Sequence, residues 1–483
     1  MQPLIVTAAI ILHEGRVLVT QRPQQARHGG LWEFPGGKLE AEETPVAALQ
    51  RELLEELDLP VTVGDIFDVI YHRYDWGAVL ILAYHCIPVH TRVRNRQVAD
   101  HRWLLPEELT DLPFLPADQP LIDRLRYRSH RAMRLLDAVR AEQTHDGLAA
   151  IRRELLGVAN SLLAEGLDTA SVMTTLSLVH RGIIQRVFAL CLEQRISNGA
   201  PLPAVGYCFL ILGSGGRDEM LLSPDQDHAL LYEDVPDEQL VEAEAFFAPL
   251  AGEVVAALQR IGYPACDGQV MADNPHWRGR LGDWRGRIRA WIDNAEPQQI
   301  RNSSIFFDFA PLNGDAALAA DLRRIVREEV IDQTGFLYQM MALDLRYKVP
   351  LGMLGRFILD KSGEHAGELS LKLGGSIYIV DCIRIFALEK GVEEGSTLGR
   401  LSALIECNVF SADTAENIRA AFEALAFLRL RRELALLASG LPPSHYLDPN
   451  TLSKTEQELL REAFQAVSKL QDSTKRYFSR TPF

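Results

Sequence analysis

The sequence has little that would mark a secreted, membrane-spanning or disulfide-stabilised protein. Its six cysteines are widely spaced and form no C-x-x-C pair, so we expect neither a disulfide framework nor a zinc knuckle, and we expect a reducing cytoplasm. The first residues have a short apolar run but no basic region or cleavage site, which favours a strand over a signal peptide. No apolar run reaches the roughly 18–20 residues of a membrane span, so no membrane association is expected.

What is present is ordinary for a globular protein. The chain has 483 residues, of which 47% are hydrophobic and 24% charged, and this excludes collagen-like and low-complexity sequences. The length suggests about three domains. The net charge of −15 makes the chain a poor candidate for coating a duplex, because such binding depends on lysine and arginine. We therefore expect no stable nucleic-acid binding, although local basic patches could hold a nucleotide.

The hydrophobic pattern divides the chain into four regions. Residues 1–128 alternate strand-like runs with one helix and predict a mixed α/β unit. Residues 129–200 have helical spacing throughout and predict a helical linker region. Residues 201–335 return to alternating strands and helices, and residues 336–483 are mostly helical. The sequence therefore predicts a multidomain protein of the α/β plus α class.

An acidic helix follows a glycine turn in the first region. A hairpin is expected around the turn at residues 13–16, and Thr44 is a plausible N-cap for a helix over Pro45–Leu57. Glu52, Glu55 and Glu56 are spaced i, i+3, i+4, so they share one face of that helix.

Like charges at this spacing repel, and a divalent cation would relieve the repulsion. Hard oxygen ligands are those that Mg²⁺ or Mn²⁺ prefers, and the Gly36–Gly37 turn would let a backbone carbonyl approach the same ion. Arg51 can hold a neighbouring carboxylate in a forked hydrogen bond. The alternative is a solvated acidic face, which is common in acidic proteins.

The wider spacing resembles the signature of the Nudix hydrolase family. The matching residues are Gly37, Glu43, Arg51, Glu52, Leu53, Glu55, Glu56 and Leu59. The chain departs at Asp58, where the family usually has a glycine that closes the helix in a left-handed turn. Asp tolerates that conformation at a cost of order 1 kcal/mol, so we expect the helix end to survive. The resemblance implies an α/β/α sandwich with a mixed sheet.

The surrounding segments WEFPGGK and LPADQP resemble the MutT-type branch of the family, which hydrolyses nucleoside triphosphates and is known for acting on 8-oxo-dGTP. That resemblance implies conversion of a nucleoside triphosphate and water to a nucleoside monophosphate and pyrophosphate, with Mg²⁺ (or Mn²⁺). It implies metal ligation by Gly37, Glu52, Glu55 and Glu56, phosphate contact by Arg22, and a nucleoside side formed by Glu33, Phe34 and Asp118. Asp118 stands where the 8-oxo-dGTP enzyme has a base-reading asparagine, and it lacks the amide donor. Gln97 stands where many relatives have a glutamate, for which Asp100 could substitute.

A second pattern combines a glycine turn with paired acids. A strand enters Gly213-Ser214, and Asp225 and Asp227 follow at the start of another strand. Two acids at this spacing point the same way and can hold Mg²⁺ on a triphosphate, while the turn and Ser214 can hold phosphate oxygens. Arg217 adds a cation, and Asp308, in an expected strand over 304–309, would be a third acid. The alternative is a glycine-rich turn followed by an Asx turn, both frequent in loops.

The longer string GSGGRDE-x₅-DQDHAL resembles the nucleotidyltransferase superfamily, with its DNA polymerase β-like fold. The similarity is greatest to domains often joined to CBS or cyclic-nucleotide-binding modules and related to the PII-protein uridylyltransferase. It extends to LSLKLGG at 369–375, in a helical substrate-binding domain. Gly215 and His228 depart from the family without removing a metal ligand. The resemblance implies nucleotidyl transfer to an acceptor, protein or small molecule, that it does not name.

A basic segment at 277–291 leaves two interpretations open. Its arginines could grip a triphosphate or acceptor, or they could lie over the interleaved tryptophans of an amphipathic segment. The tryptophans are Trp277, Trp284 and Trp291, and the arginines are Arg278, Arg280, Arg285, Arg287 and Arg289.

The sequence as a whole predicts a two-module enzyme, a Nudix triphosphate pyrophosphohydrolase followed by a nucleotidyltransferase with helical flanks. Two alternatives stay open. The second module could sense a nucleotide without catalysis and regulate the first. It could also be the main activity and modify a protein or small molecule, with the Nudix module acting on another nucleoside diphosphate derivative.

Overall fold

The computed structural model describes residues 3–13, 16–90, 92–346, 348–352 and 355–479, with the backbone alone for residues 65 and 127–131. The chain forms two compact units, residues 1–134 and residues 135–483. The finer division into four regions stays a prediction. The predicted turn residues Glu14 and Gly15 lie outside the described residues, but His13 and Arg16 on either side are antiparallel partners.

The N-terminal unit is a sheet covered by helices. Its strands are β1 Leu4–His13, β2 Arg16–Gln21, β3 Trp32–Glu33, β4 Gly36–Lys38, β5 Val61–Tyr74, β6 Gly77–Pro88 and β7 Asp100–Leu104, and its helices are α1 Pro45–Leu57 and α2 Gln119–Ala141, which contains the unit boundary. The strand order is β3-β2-β1-β6-β5, with β4 on β1 and β7 on β2. Only the β1–β6 pairing within this sheet is parallel among the described strands, so the predicted mixed sheet is confirmed.

Alternate residues of β1 supply two hydrophobic cores. Ala8 and Ile10 pack into one core with the beginning of α2. Ala9 and Ile11 pack into the other with Leu49, Leu53 and Leu57 of α1. Because strand side chains alternate between faces, the sheet is covered on both sides. This arrangement fixes α1 against the sheet.

Helix α1 begins and ends where its local signals place it. The Thr44 hydroxyl accepts a hydrogen bond from the Ala47 amide at 3.2 Å, and Pro45 occupies the first helical position. Asp58 ends the helix in the left-handed region, with φ 55° and ψ 35°, as expected. Its carboxylate is 3.2 Å from the Arg94 guanidinium and 2.6 Å from that of Arg96. These ion pairs help to offset the strain of a non-glycine residue there.

The second unit combines a small sheet with many helices. Its helices are α3 His145–Ala164, α4 Thr169–Ser197, α5 Gly213–Gly216, α6 Asp237–Ile261, α7 Leu281–Asp293, α8 Pro297–Phe306, α9 Ala316–Val330, α10 Thr334–Asp344, α11 Ile377–Lys390, α12 Thr397–Glu406, α13 Ala412–Ala438 and α14 Lys454–Phe478. Its strands are β8 Tyr207–Ile211, β9 His228–Tyr232, β10 Arg278–Arg280, β11 Ala310–Gly314, β12 Leu369–Ser370 and β13 Tyr446–Leu447. Four of them form a sheet in the order β10-β9-β8-β11, and β12 pairs with β13.

The strand predicted over residues 304–309 is wrong. Ser304–Phe306 belongs to α8, and the strand comes later, as β11. The short apolar run could not be assigned by periodicity. Tertiary packing favours the helix here, because the Phe306 ring stacks on Trp284 with centroids 4.4 Å apart and also contacts Trp291.

The basic segment at 277–291 is structural. All three of its tryptophans are buried around Phe306. Its arginines pair with acids of the same unit; the pairs are Arg278–Glu244, Arg280–Asp237, Arg285–Glu328 and Arg289–Glu329. Arg287 lies over the Trp284 ring, 4.6 Å from its centroid. Of the two interpretations of this segment, the amphipathic one holds.

Helix α4 is, by length and composition, the one described helix that could cross a membrane. Half of its most apolar window is buried inside the unit, where α4 packs on α3 and α6. His180 near its centre hydrogen-bonds to the Tyr263 hydroxyl and the Leu221 carbonyl at 2.7 and 2.8 Å. These are the contacts of a core helix.

Candidate functional sites

Strand β4 and helix α1 bring the glycine turn and the acidic face together. A β-carbon on Gly37 would lie 2.2 Å from the carboxyl carbon of Glu52, so only glycine leaves room for that carboxylate. The Gly37 carbonyl accepts a hydrogen bond from the Thr7 hydroxyl at 3.3 Å. The structure thus places Glu52 directly against the backbone of the Gly36–Gly37 turn.

Arg51 organises the acids next to this turn. Its Nε and Nη2 reach the two Glu43 oxygens at 3.2 and 2.9 Å, and its Nη1 lies 3.1 Å from Glu52 and 3.4 Å from Glu55. The hydrogen bonds that Arg51 donates to Glu43 lower the pKa of Glu43 below its ordinary value and raise the pKa of Arg51. Arg51 therefore holds Glu43 ionised and orients two of the three predicted ligands.

Glu56 has no such partner. Among the described residues it forms no ion pair, and burial raises its pKa to about 8, with further raising by the charges of Glu33, Glu52 and Glu55. This is the position on α1 where an added cation would relieve the most repulsion. In the described part of the chain, no three His, Cys, Asp or Glu side chains converge closely enough to hold a metal ion as they stand.

The predicted nucleoside side lies beside these acids. Arg22, after β2, forms an ion pair with Glu33 of β3, whose pKa is nevertheless raised by burial. Phe34 is buried, and its ring centroid lies 5.9 Å from that of Phe114. The Phe34 amide donates to Asp118 at 3.4 Å. The structure therefore brings the three predicted nucleoside-side residues together with Arg22, the predicted phosphate contact.

Asp118 has an environment that its sequence position did not predict. It is 4% exposed, and burial raises its pKa well above the ordinary value, with Glu33 adding to the effect. A protonated carboxyl has an O–H donor as well as an acceptor oxygen. When Asp118 is neutral, its O–H supplies the donor that appeared to be missing when Asp replaces Asn.

We expect the Michaelis constant of hydrolysis to rise at high pH in the wild type but not in Asp118→Asn. As pH rises through the elevated pKa of Asp118, the carboxyl loses its donor and gains charge beside Glu33, while Arg22 and Tyr74 are its other polar neighbours. The test is kcat and KM against pH for both proteins. The same pH dependence of KM in both would exclude a role for neutral Asp118.

The second pattern forms a site at the end of β8. Gly213 begins the short helix α5 with φ 57°, and a β-carbon there would lie 3.0 Å from Asp227 Oδ2. Asp227 Oδ1 is buried and has no hydrogen-bond partner among the described residues. Burial raises the Asp227 pKa and the charge of Asp225 raises it further, while the nearby Cys266 thiol and the charge of Lys372 oppose the shift. Gly213, Ser214, Asp225 and Asp227 therefore lie close together, as predicted.

Lys372 is a member of this site that the sequence analysis missed. It lies in the helical turn Lys372–Ser376 before α11, and its Nζ is 4.0 Å from Asp225 Oδ2. Burial lowers the Lys372 pKa, with Arg429 adding to that effect, while Asp225 and Asp227 oppose it. The segment LSLKLGG was recognised as a family feature, but no local signal connects it to a pair of acids nearly 150 positions earlier.

Asp308 has different partners from those predicted. Its Oδ2 accepts from Arg217 at 2.6 Å and from Arg384 at 2.6 and 3.0 Å, and its Oδ1 accepts from Arg400 at 2.6 Å. These arginines hold its pKa far below the ordinary value despite complete burial. Both oxygens are occupied, so Asp308 acts as a structural anchor here. Arg217, predicted to contact substrate, is bound to Asp308 and to Glu219.

Comparison with known families matches three parts of the chain. The family described as "NUDIX domain" matches residues 6–124. The family described as "Putative nucleotidyltransferase DUF294" matches residues 153–298. The one described as "Putative nucleotidyltransferase substrate binding domain" matches residues 334–478.

Similar individual proteins match the N-terminal unit. The CTP pyrophosphohydrolase of Escherichia coli (strain K12) is 40% identical over 124 residues, which are 26% of this chain and 91% of that protein. The 8-oxo-dGTP diphosphatase of Proteus vulgaris is 44% identical over 72 residues, or 15% of this chain and 64% of that protein. The solution structure of the E. coli ORF135 protein covers 28% of this chain and 94% of its own, with 36% identity and a TM-score of 0.24. The chain therefore belongs to the Nudix family through its N-terminal unit, and it is an enzyme of hydrolase type joined to nucleotidyltransferase domains.

Proposed function

We propose that the N-terminal unit hydrolyses a nucleoside triphosphate to the monophosphate and pyrophosphate with Mg²⁺ (or Mn²⁺). The observation that carries this proposal is the position of Glu56. Among the described residues it is an acid without an ion pair, and the charges of Glu33, Glu52 and Glu55 raise its pKa, while Glu52 itself lies against Gly37. An acidic cluster of this kind costs stability unless a cation offsets the charge, so it favours a role in binding over a role in the fold.

The donor set fits a hard divalent cation. Glu52, Glu55 and Glu56 would supply carboxylate oxygens and Gly37 a carbonyl oxygen, a set that Mg²⁺ and Mn²⁺ accept. The close approach of the Glu52 carboxylate to the Gly37 backbone supports this assignment. When bound, such an ion neutralises charge on the diphosphate and lowers the pKa of a bound water. Side-chain rotation would be needed, since Arg51 draws Glu52 and Glu55 to itself.

The remaining residues would bind and orient the nucleotide. Arg22 would release part of its ion pair with Glu33 and bind a phosphate oxygen instead. Its guanidinium can donate two parallel hydrogen bonds, which matches the geometry of a phosphate group. Phe34 would form an apolar wall for the nucleoside, and neutral Asp118 would both accept from and donate to the edge of the base. Relatives are named for CTP and for 8-oxo-dGTP, so the base is the open choice, with 8-oxo-dGTP a leading candidate.

A substrate screen tests this proposal. Purified protein with Mg²⁺ is incubated with normal and oxidised (d)NTPs, dinucleotides and nucleotide sugars, while pyrophosphate and phosphate are measured separately. We expect equal amounts of monophosphate and pyrophosphate from one or a few triphosphates. Release of orthophosphate with a nucleoside diphosphate would contradict the proposal. Turnover of a nucleotide sugar or dinucleotide alone would favour the alternative substrate class.

We propose further that the second unit transfers a nucleotidyl group to a protein or small-molecule acceptor. Asp225 and Asp227 would hold Mg²⁺, and the Gly213–Ser214 turn would bind phosphate oxygens. Lys372 would add a positive charge opposite the polyphosphate. The buried, unpartnered Oδ1 of Asp227 supports this proposal, because a buried carboxylate oxygen without a donor is costly unless a ligand completes it.

Asp225→Asn combined with Asp227→Asn is expected to abolish transfer and to leave hydrolysis by the N-terminal unit within about twofold. The physical reason is that the two sites lie in separate compact units with their own cores. The measurement uses α-labelled triphosphates and follows free monophosphate and label on acceptors. Asp321→Asn, an exposed acid of α9, is the control.

Two other results of that experiment would be decisive. Loss of hydrolysis in the double variant would show that the units are not independent. Nucleotide binding by the wild-type second unit, without turnover on any acceptor, would favour the sensor alternative. We propose a cytoplasmic location, which the six unpaired cysteines, including the exposed Cys407, support.

A further inference from the structure

A small, solvent-open pocket of about 50 Å³ lies in the second unit, between α9, α11, α12 and the turn after α8. Neither the Gly213–Ser214 turn nor Asp225 or Asp227 lines it. Four arginines line it, with two glutamates; the arginines are Arg323, Arg327, Arg384 and Arg400.

Arg323 is the cation in this pocket that lacks a counter-ion. Its Nη2 donates to the Phe309 carbonyl at 2.8 Å, and its guanidinium lies over the Phe309 ring, 4.6 Å from the centroid. Among the described residues no carboxylate lies within ion-pair distance of it. Burial lowers the Arg323 pKa and the nearby charge of Arg400 lowers it further, while the more distant charges of Glu393 and Asp308 oppose this shift. A guanidinium in this environment is stabilised by an added anion.

The other pocket arginines do not remove this excess of positive charge. Arg384 and Arg400 share the single carboxylate of Asp308 with Arg217. Arg327 is paired with Glu393 at 2.7 Å, with both side chains about half exposed. Arg384 is also paired with Asp381 at 2.5 Å. The lining itself has four arginines and two glutamates, Glu393 and Glu394, so it carries an excess of positive charge.

We propose that this pocket binds a small phosphate-bearing anion, with inorganic pyrophosphate as the simplest member of the class. Arginine forks match phosphate oxygens in geometry as well as charge, and several guanidinium groups on one wall suit a ligand with more than one negative oxygen. Val326, Val330 and Leu388 contribute apolar walls to the same pocket.

The pocket is linked to the Gly213–Gly216 helix through Asp308. A bound anion would compete with Asp308 for Arg384 and Arg400, while Arg217 at the end of α5 holds the same carboxylate. The Asp308 carbonyl lies so close to Gly216 that a β-carbon there would be 2.0 Å away. Any shift of Asp308 is thus transmitted to the backbone of this helix. Occupancy of the pocket would therefore change the flexibility of α5.

Calorimetric titration of the full chain with inorganic pyrophosphate, in EDTA and at constant ionic strength, tests the binding. EDTA removes metal-dependent binding at the two proposed catalytic sites. We expect Arg323→Gln to weaken binding about 10- to 100-fold, as for loss of a charged hydrogen-bond donor. The neighbouring Arg324→Gln is the matched control, since Arg324 is exposed and paired with Asp321 and Glu328.

The outcomes separate cleanly. Equal affinity in the wild type and Arg323→Gln, or no binding in the wild type, would overturn the proposal. Binding of malonate in place of pyrophosphate would overturn the phosphate assignment. Amide exchange of residues 213–219, measured with and without pyrophosphate, tests the link to α5. We expect exchange to change in the wild type and not in Arg323→Gln; unchanged exchange on binding would remove the link.

Discussion

Glu56→Gln is expected to lower triphosphate hydrolysis by about 10²–10³-fold or more, with no loss of thermal stability. A bound metal supplies several kcal/mol of transition-state stabilisation, and each 1.36 kcal/mol is tenfold in rate. The fold loses nothing, because Glu56 has no ion pair among the described residues and stands among like charges. The measurement is kcat/KM with Mg²⁺ together with the melting temperature in EDTA.

Glu40→Gln is the control for this substitution. Glu40 is an exposed acid of the loop between β4 and α1. Its backbone amide donates a hydrogen bond to Glu43, but its carboxylate takes no part in the acidic network of the described residues. We expect normal turnover in this variant. Full hydrolysis by Glu56→Gln would remove the metal-binding role of α1. Loss of both activity and stability would instead show that Glu56 is needed for the fold.

Asp308→Asn is expected to destabilise the second unit by about 3–5 kcal/mol. The substitution keeps the shape of the side chain but leaves three buried guanidinium groups without their shared charge, and breaking a buried ion pair by removing one partner costs this much. Chemical denaturation followed by tryptophan fluorescence measures the change, since Trp277, Trp284 and Trp291 are all buried in this unit.

Two comparisons make the Asp308 result interpretable. Asp321→Asn, which removes an exposed ion pair with Arg324, should change the free energy of unfolding by less than about 1 kcal/mol. Hydrolysis should persist in Asp308→Asn even if the second unit fails to fold, because the N-terminal unit has its own cores. A free energy of unfolding equal to that of the wild type would contradict the anchoring role of Asp308.

Features set by neighbours in sequence were predictable. The bounds of α1 follow from Thr44, Pro45 and the left-handed residue Asp58, all within one turn of the helix ends. The i, i+3, i+4 spacing likewise placed three glutamates on one face. Gly213 was also predicted near Asp227, because Gly213 follows β8 and Asp227 precedes β9, and the two strands are antiparallel neighbours.

Features set by distant parts of the chain were not predictable. Lys372 reaches Asp225 only because the helical C-terminal region packs against the small sheet. Asp308 was predicted as a third metal-binding acid, yet two of its three arginine partners come from α11 and α12, which no local pattern connects to it. Asp118 is a third case, because burial in the folded unit raises its pKa and the residue type alone does not reveal this.

The three arginines bound to Asp308 limit how this protein can be divided into shorter polypeptides. The region 153–298 supplies Arg217, whereas the region 334–478 supplies Arg384 and Arg400, and Asp308 lies on the segment between them. A polypeptide cut after residue 333 would retain the acid with one of its three counter-ions, and the remainder would carry two arginines with no acid to neutralise them. The transferase region and its substrate-binding region should therefore be expressed together. Truncation is better attempted near the boundary at residues 134 and 135.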